Sequence, residues 1–122
     1  MILICDLDYC SNQIYILYII YTGGTIMYKN IRASELKGML GRVNIIDIRP
    51  SYLYNMGCIP GSKNIPSNYL TMFPDKYLSK DEEYYIYCSG GMNSPRVCAD
   101  LTSKGYKVVN VLGGYNDYIT SL

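Results

Sequence analysis

The sequence predicts a single α/β domain with a mostly parallel sheet, and three observations carry that prediction. β-rich runs alternate with stretches bounded by helix-starting and helix-stopping residues, the pattern of βαβ units. The apolar runs at 43–48 and 108–112 read as buried strands. The chain has 122 residues, 49% hydrophobic and 17% charged, which suits one ordered core of ordinary size.

Residues 28–31 form the first clear strand candidate. Ser34 is placed to cap a helix running through Leu40, with Gly41 as its stop. The run 43–48 is the second strand, closed by Arg49-Pro50. Pro60-Gly61 marks a turn, and Asn64-Ile65-Pro66 a brief strand. Ser67 is placed to cap a second helix that ends before Pro74. Residues 84–88, Tyr-Tyr-Ile-Tyr-Cys, are β-rich. Ser94-Pro95 opens a helix to Lys104, because proline suits the first helical position, and Gly105 is its left-handed stop. The run 108–112 is the fifth strand, and Asn116 is placed to cap a last short helix. No repeat or low-complexity tract interrupts the order.

Composition narrows the chemistry. The net charge of +1 removes a strong electrostatic drive toward nucleic acid or anionic lipid. Histidine is absent, which removes His-ligated metal, a Ser-His-Asp triad and a Cys-His pair from this chain. The five cysteines, Cys5, Cys10, Cys58, Cys88 and Cys98, are odd in number and include no C-x-x-C pair. They read as reduced thiols of a cytoplasmic protein, not as a disulfide scaffold or a zinc site. The eight-residue apolar run at 14–21 is too short to span a bilayer, and the acidic start is no secretory signal.

Residues 1–26 carry no basic side chain and admit two readings. They form an extra edge strand or tail, or they are upstream sequence read in frame. In the second reading the Gly23-Gly24 codons spell a bacterial ribosome-binding core shortly before the start codon of Met27. The organisation expected is then an N-terminal extension, 1–26, followed by the working domain, 27–122.

The candidate site is the stretch Cys88, Ser89, Gly90, Gly91, Met92, Asn93, Ser94 and Pro95. A cysteine ends a buried strand, a Gly-rich loop follows, and a helix begins. Open α/β sheets place ligands at the carboxyl ends of their strands. Gly90 and Gly91 permit a tight loop with inward-pointing amides, and the helix adds its positive N-terminal end. Together these would stabilise a thiolate, a persulfide or an incoming anion without histidine. The plainer reading makes Cys88 a small buried hydrophobe.

Four ordered segments carry a resemblance. They are the stretches 45–50 (Ile-Ile-Asp-Ile-Arg-Pro), 57–66 (Gly-Cys-Ile-Pro-Gly-Ser-Lys-Asn-Ile-Pro), 87–94 (Tyr-Cys-Ser-Gly-Gly-Met-Asn-Ser) and 112–115 (Leu-Gly-Gly-Tyr). With them, residues 27–122 resemble a single-domain rhodanese-like sulfurtransferase. The resemblance implies a mostly parallel five-stranded central sheet with helices on both faces. It also implies a ping-pong mechanism with neither cofactor nor metal. Cys88 would take sulfane sulfur from a donor and pass it to a thiol acceptor. The backbone amides of Ser89, Gly90, Gly91, Met92, Asn93 and Ser94 would hold the charge. Asp47 and Arg49 match the family's acidic–basic pair beside the loop, where an ion pair fixing the strand end is the favoured role.

The chain departs from the family at several positions. Asn93 stands where the family has Arg in the loop, and Arg96 on the following helix either compensates or is solvated. The neutral loop favours a small persulfide or a protein persulfide over thiosulfate as donor. Cys58 stands where the family often has His, and is a candidate second thiol for Cys88. Tyr118 stands where the family usually has Trp. A cysteine phosphatase or arsenate reductase would need Arg where this chain has Ser94, so that reading is disfavoured. A persulfide carrier or partner-docking module with little turnover is the alternative from another class. Tyr52, Tyr54, Met56, Met72 and Phe73 flank the motifs, either as a docking surface or, the plainer reading, as ordinary core and rim residues.

Overall fold

The computed structural model describes residues 2–8, 13–19 and 25–121, with side-chain environments from residue 27 onward. The strands are β1 (Ile2–Asp8), β2 (Gln13–Ile19), β3 (Thr25–Arg32), β4 (Asn44–Asp47), β5 (Lys63–Asn64), β6 (Glu83–Tyr87) and β7 (Lys107–Leu112). The helices are α1 (Ala33–Leu36), α2 (Ser51–Met56), α3 (Ser67–Met72), α4 (Pro74–Tyr77), α5 (Ser94–Ser103) and α6 (Gly114–Thr120). Among the described residues the sheet order is β1-β2-β3-β7-β6-β4-β5.

The five strands β3, β7, β6, β4 and β5 pair in parallel, as the sequence predicts. β1 and β2 extend the β3 edge as antiparallel strands, with Ile16 opposite Tyr28 in the register. The apolar run at 14–21 thus lies largely in β2, while Ile20, Tyr21, the segment 22–24 and the Cys5 and Cys10 side chains lie outside the described residues.

Both faces of the parallel sheet are covered. Alternate residues of each strand enter different clusters, because strand side chains point to opposite faces in turn. Ile46, Ile86 and Val108 pack with Leu70 of α3 and Val97, Cys98 and Leu101 of α5. Ile45, Tyr85, Tyr87, Val109 and Val111 pack with Ala33 and Leu36 of α1, flanked by Tyr115 and Tyr118 of α6.

Several local expectations are corrected. α1 ends at Leu36 and tightens into a 3-10 turn, Lys37–Met39, well short of a continuous helix to Leu40. Arg32, Pro66, Asn93 and Gly113 occupy the N-cap positions of α1, α3, α5 and α6, and none makes a side-chain cap bond. Ser34, Ser67 and Asn116 therefore lie within their helices. α2 and α4 are two further helices. Pro50, read as a strand closer, also opens α2, and Pro74, read as a stop, is the first residue of α4.

Candidate active site

Cys88 follows β6 directly, at the C-terminal edge of the sheet and in front of α5. It is 5% exposed. The amide of Gly91 donates to its Sγ at 3.2 Å and the amide of Ser94 at 3.4 Å, with Ser94 Oγ at 3.5 Å. Burial alone would push the thiol up. The hydrogen bonds from the Ser94 side chain and from the amides of Ser94, Asn93 and Gly91 outweigh it, and hold Cys88 below an ordinary cysteine. Of the loop amides expected to face this sulfur, those of Gly91 and Ser94 do so within hydrogen-bond distance.

The loop keeps this shape because its carbonyls are tied on the other side. The amides of Tyr115 and Asn116, at the start of α6, donate to the carbonyls of Cys88 and Ser89 at 2.8 and 2.9 Å. With the carbonyls drawn toward α6, the amides face the sulfur. This approach explains two glycines. Gly91 has φ +85, and a Cβ there would stand 2.9 Å from the Gly113 amide nitrogen. Gly114 has φ +58, and a Cβ there would overlap the Cys88 carbonyl oxygen and sit 2.8 Å from that of Ser89. The segment 112–115 is thus a clamp on the cysteine loop. Sequence reasoning matched these residues to a motif but missed what they hold.

Asp47 and Arg49 lie at the end of β4, beside Tyr87 on β6. Both are buried, at 0% and 5% exposure. Asp47 Oδ1 accepts from the Arg49 amide and Nε, and Oδ2 accepts from the guanidinium at 2.7 Å. Arg49 also donates to the Gly57 carbonyl and lies 4.3 Å over the Tyr115 ring. Burial alone would lower the guanidinium's pKa, but the contacts with Asp47 outweigh it and keep Arg49 charged. The pair knits β4, the 57–66 segment and α6 together, as an ion pair fixing the strand end would.

The remaining candidates are distributed around this centre. Arg96 reaches back from α5 and donates to Asn93 Oδ1 at 2.7 Å, so it is attached to the loop while remaining exposed. Met92 stands 89% exposed at the loop's tip. Cys58 is half-buried and lies beside Tyr54, whose hydroxyl donates to the Ser62 carbonyl. Cys98, one α5 face away from Cys88 in the same core cluster, is fully buried, and burial pushes its thiol far up. Tyr52, Met56, Met72 and Phe73 are exposed. Among the described residues no helix is long and apolar enough to cross a membrane.

The model of the rhodanese-like domain matches residues 32–121, most of the chain and all of the site. The chain belongs to the rhodanese-like family. Curated relatives include "Putative sulfurtransferase YtwF" of Bacillus subtilis strain 168, 39% identical over 72 residues, covering 57% of this chain and 67% of that protein. Among solved structures, SSP1007 of Staphylococcus saprophyticus is 37% identical, with a TM-score of 0.66, covering 73% of this chain and 91% of that one. A rhodanese-like domain protein of Staphylococcus aureus is also 37% identical, with a TM-score of 0.64 and 89% of its chain covered. The rhodanese-like fold accounts for the five parallel strands flanked by helices; the antiparallel β1 and β2 precede the matched span.

Proposed function

We propose that this rhodanese-like domain is a sulfurtransferase whose Cys88 carries sulfane sulfur as a persulfide. The observation that supports it most is the convergence of the Gly91 and Ser94 amides on Cys88 Sγ, at 3.2 and 3.4 Å. In the first half-reaction the Cys88 thiolate attacks the outer sulfur of a donor. A new S–S bond forms at Cys88, and the donor's own bond to that sulfur breaks. The donor leaves as a thiolate, or as sulfite from thiosulfate. In the second half-reaction an acceptor thiolate attacks the terminal sulfur, and Cys88 leaves as a thiolate again. No net oxidant is needed. Loop amides receive the charge that develops on the transferring sulfur, which is where preorganised donors act most.

The donor is a small persulfide or a protein persulfide in preference to thiosulfate. No charged side chain belongs to residues 88–94, and Arg96, the nearest cation in sequence, has its guanidinium on Asn93. A dianion therefore lacks a direct cationic contact in the loop. The setting is a cytoplasm with reduced thiols, without nucleic acid or membrane as partner. Residues 27–122 are the working domain, with Met27 as the start in the in-frame reading of 1–26. Cys58 serves as a second thiol only if it reaches Cys88.

A second reading, a persulfide carrier that discharges slowly, is favoured by the same neutral loop. Reduced protein incubated with glutathione persulfide, with thiosulfate and with a phosphatase substrate separates the readings. A transferase turns over with the persulfide donor faster than with thiosulfate. A carrier gains one sulfur and stops, and phosphate release alone would overturn both.

A further inference from the structure

A buried polar chain runs inward from the site. Ser94 Oγ lies 3.5 Å from Cys88 Sγ and 2.5 Å from Asn110 Oδ1. Asn110 Nδ2 in turn donates to Asn30 Oδ1 at 2.7 Å. Ser94, Asn110 and Asn30 are each at 0% exposure. Asn30 and Asn110 are register partners on the parallel strands β3 and β7, on the sheet face that also carries the buried Tyr28 and Val108. Polar side chains in such a place are costly unless each is hydrogen-bonded.

A serine hydroxyl has one proton to donate. Asn110 presents its carbonyl oxygen to Ser94, because its amide nitrogen is engaged with Asn30, and a carbonyl oxygen only accepts. Ser94 therefore donates to Asn110 while Cys88 is neutral, and its lone pairs receive the Cys88 S–H. Once Cys88 ionises, the sulfur can only accept. Ser94 must then swing its proton from Asn110 to Sγ, which strips a buried carbonyl oxygen of this donor. Two groups thus claim one proton, and the claims conflict only in the thiolate state.

We propose that Asn110, held in orientation by Asn30, is a positioning residue that competes with Cys88 for the Ser94 hydroxyl proton and so restrains ionisation of the thiol. The persulfide escapes most of this restraint, since its charge sits on the terminal sulfur, one bond beyond Sγ. Asn110 therefore weighs against the free thiolate more than against the loaded form, and favours retention of sulfur. That consequence rests on the sulfurtransferase reading. The restraint itself does not, because acidity of Cys88 is measurable with no sulfur donor. The ionisable groups on elements around the thiol include Asp47 at the end of β4 and Arg49 beyond it, Tyr87 on β6, Arg96, Cys98 and Asp100 on α5, Lys107 on β7, and Tyr115, Asp117 and Tyr118 on α6. None of them belongs to the Cys88–Ser94–Asn110–Asn30 chain.

The test is the pH profile of iodoacetamide alkylation at Cys88, read on its own peptide by mass spectrometry, in the full chain. Asn110→Val should move the midpoint to lower pH and speed alkylation at pH 6 by about threefold to tenfold, the equivalent of one net hydrogen bond. Ser94→Ala should move it to higher pH, and Asn110→Val added to Ser94→Ala should then have no effect. Asn30→Val, which frees the Asn110 amide to turn toward Ser94, should act in the same direction as Asn110→Val, and serves if the latter does not fold. A midpoint unchanged or raised by both strand variants overturns the proposal, as does a shift that persists without the Ser94 hydroxyl. A merely structural pair of asparagines would lower stability without moving the profile downward.

Discussion

Replacing Gly114 by Ala strikes the clamp behind the cysteine loop. The residue sits at φ +58, so an added methyl costs about 1–2 kcal/mol from backbone strain alone. The methyl would overlap the Cys88 carbonyl oxygen and stand 2.8 Å from that of Ser89. Both obstacles are main-chain atoms, which cannot swing aside, so the start of α6 must retreat. That retreat breaks the bonds from the Tyr115 and Asn116 amides, each worth roughly 1 kcal/mol net. The combined loss is about 3 kcal/mol, measured as the shift in urea midpoint at constant slope. The freed carbonyls no longer hold the Gly91 and Ser94 amides on the sulfur, so Cys88 alkylation at pH 6 should slow along with the loss of stability. Gly61→Ala is the control, because Gly61 shares the left-handed backbone, φ +81, with open space around it. It should cost only the strain term and leave Cys88 untouched. If Gly114→Ala behaves like Gly61→Ala, the α6 clamp is not what shapes the loop.

Further predictions follow from the same geometry. Asp47→Asn leaves the buried Arg49 guanidinium without its counter-charge, and should cost about 3 kcal/mol, lowering Tm by at least ~10 °C in a calorimetric scan; a fall of only a degree or two would refute a structural ion pair. Because the folded protein holds Cys88 below its unfolded value, the unfolded chain binds the extra proton between those two values. Stability from this group is full above the unfolded value of ~8.5 and is lost as pH falls through the folded one, so Cys88→Ala should flatten the pH dependence of the urea midpoint in that window. Cys98 is fully buried with its thiol pushed up, so native-state labelling should reach Cys88 and Cys58 first and Cys98 only on unfolding; early labelling of Cys98 would contradict the packing of α5.

The features legible in the sequence were those encoded locally. A cysteine at a strand end, two glycines and Ser94-Pro95 announce the loop and helix within a few residues, and the structure closes those amides on the sulfur. Gly105, with φ +94, ends its helix as read. What escaped was encoded across the chain or carried no pattern. α2 buries none of its residues, so no apolar spacing marked it. Pro74 signals a helix start and a helix stop alike, and only the packing of α4 decides between them. Ser94 read as a helix start, but its link to Asn110 and Asn30 depends on β3 and β7 becoming neighbours 80 residues apart. The grip of Gly114 on Cys88 likewise needs α6 to return to the end of β6.

The central claim is that Cys88 is the atom that carries sulfur. The most direct measurement incubates reduced wild type and Cys88→Ser with glutathione persulfide, then reads the mass of each cysteine peptide and the rate of sulfur delivery to an acceptor thiol. The account predicts one added sulfur on the Cys88 peptide, delivery by the wild type, and neither in the variant. Sulfur delivery that survives Cys88→Ser, or an added sulfur that resides on Cys58 alone, would contradict it.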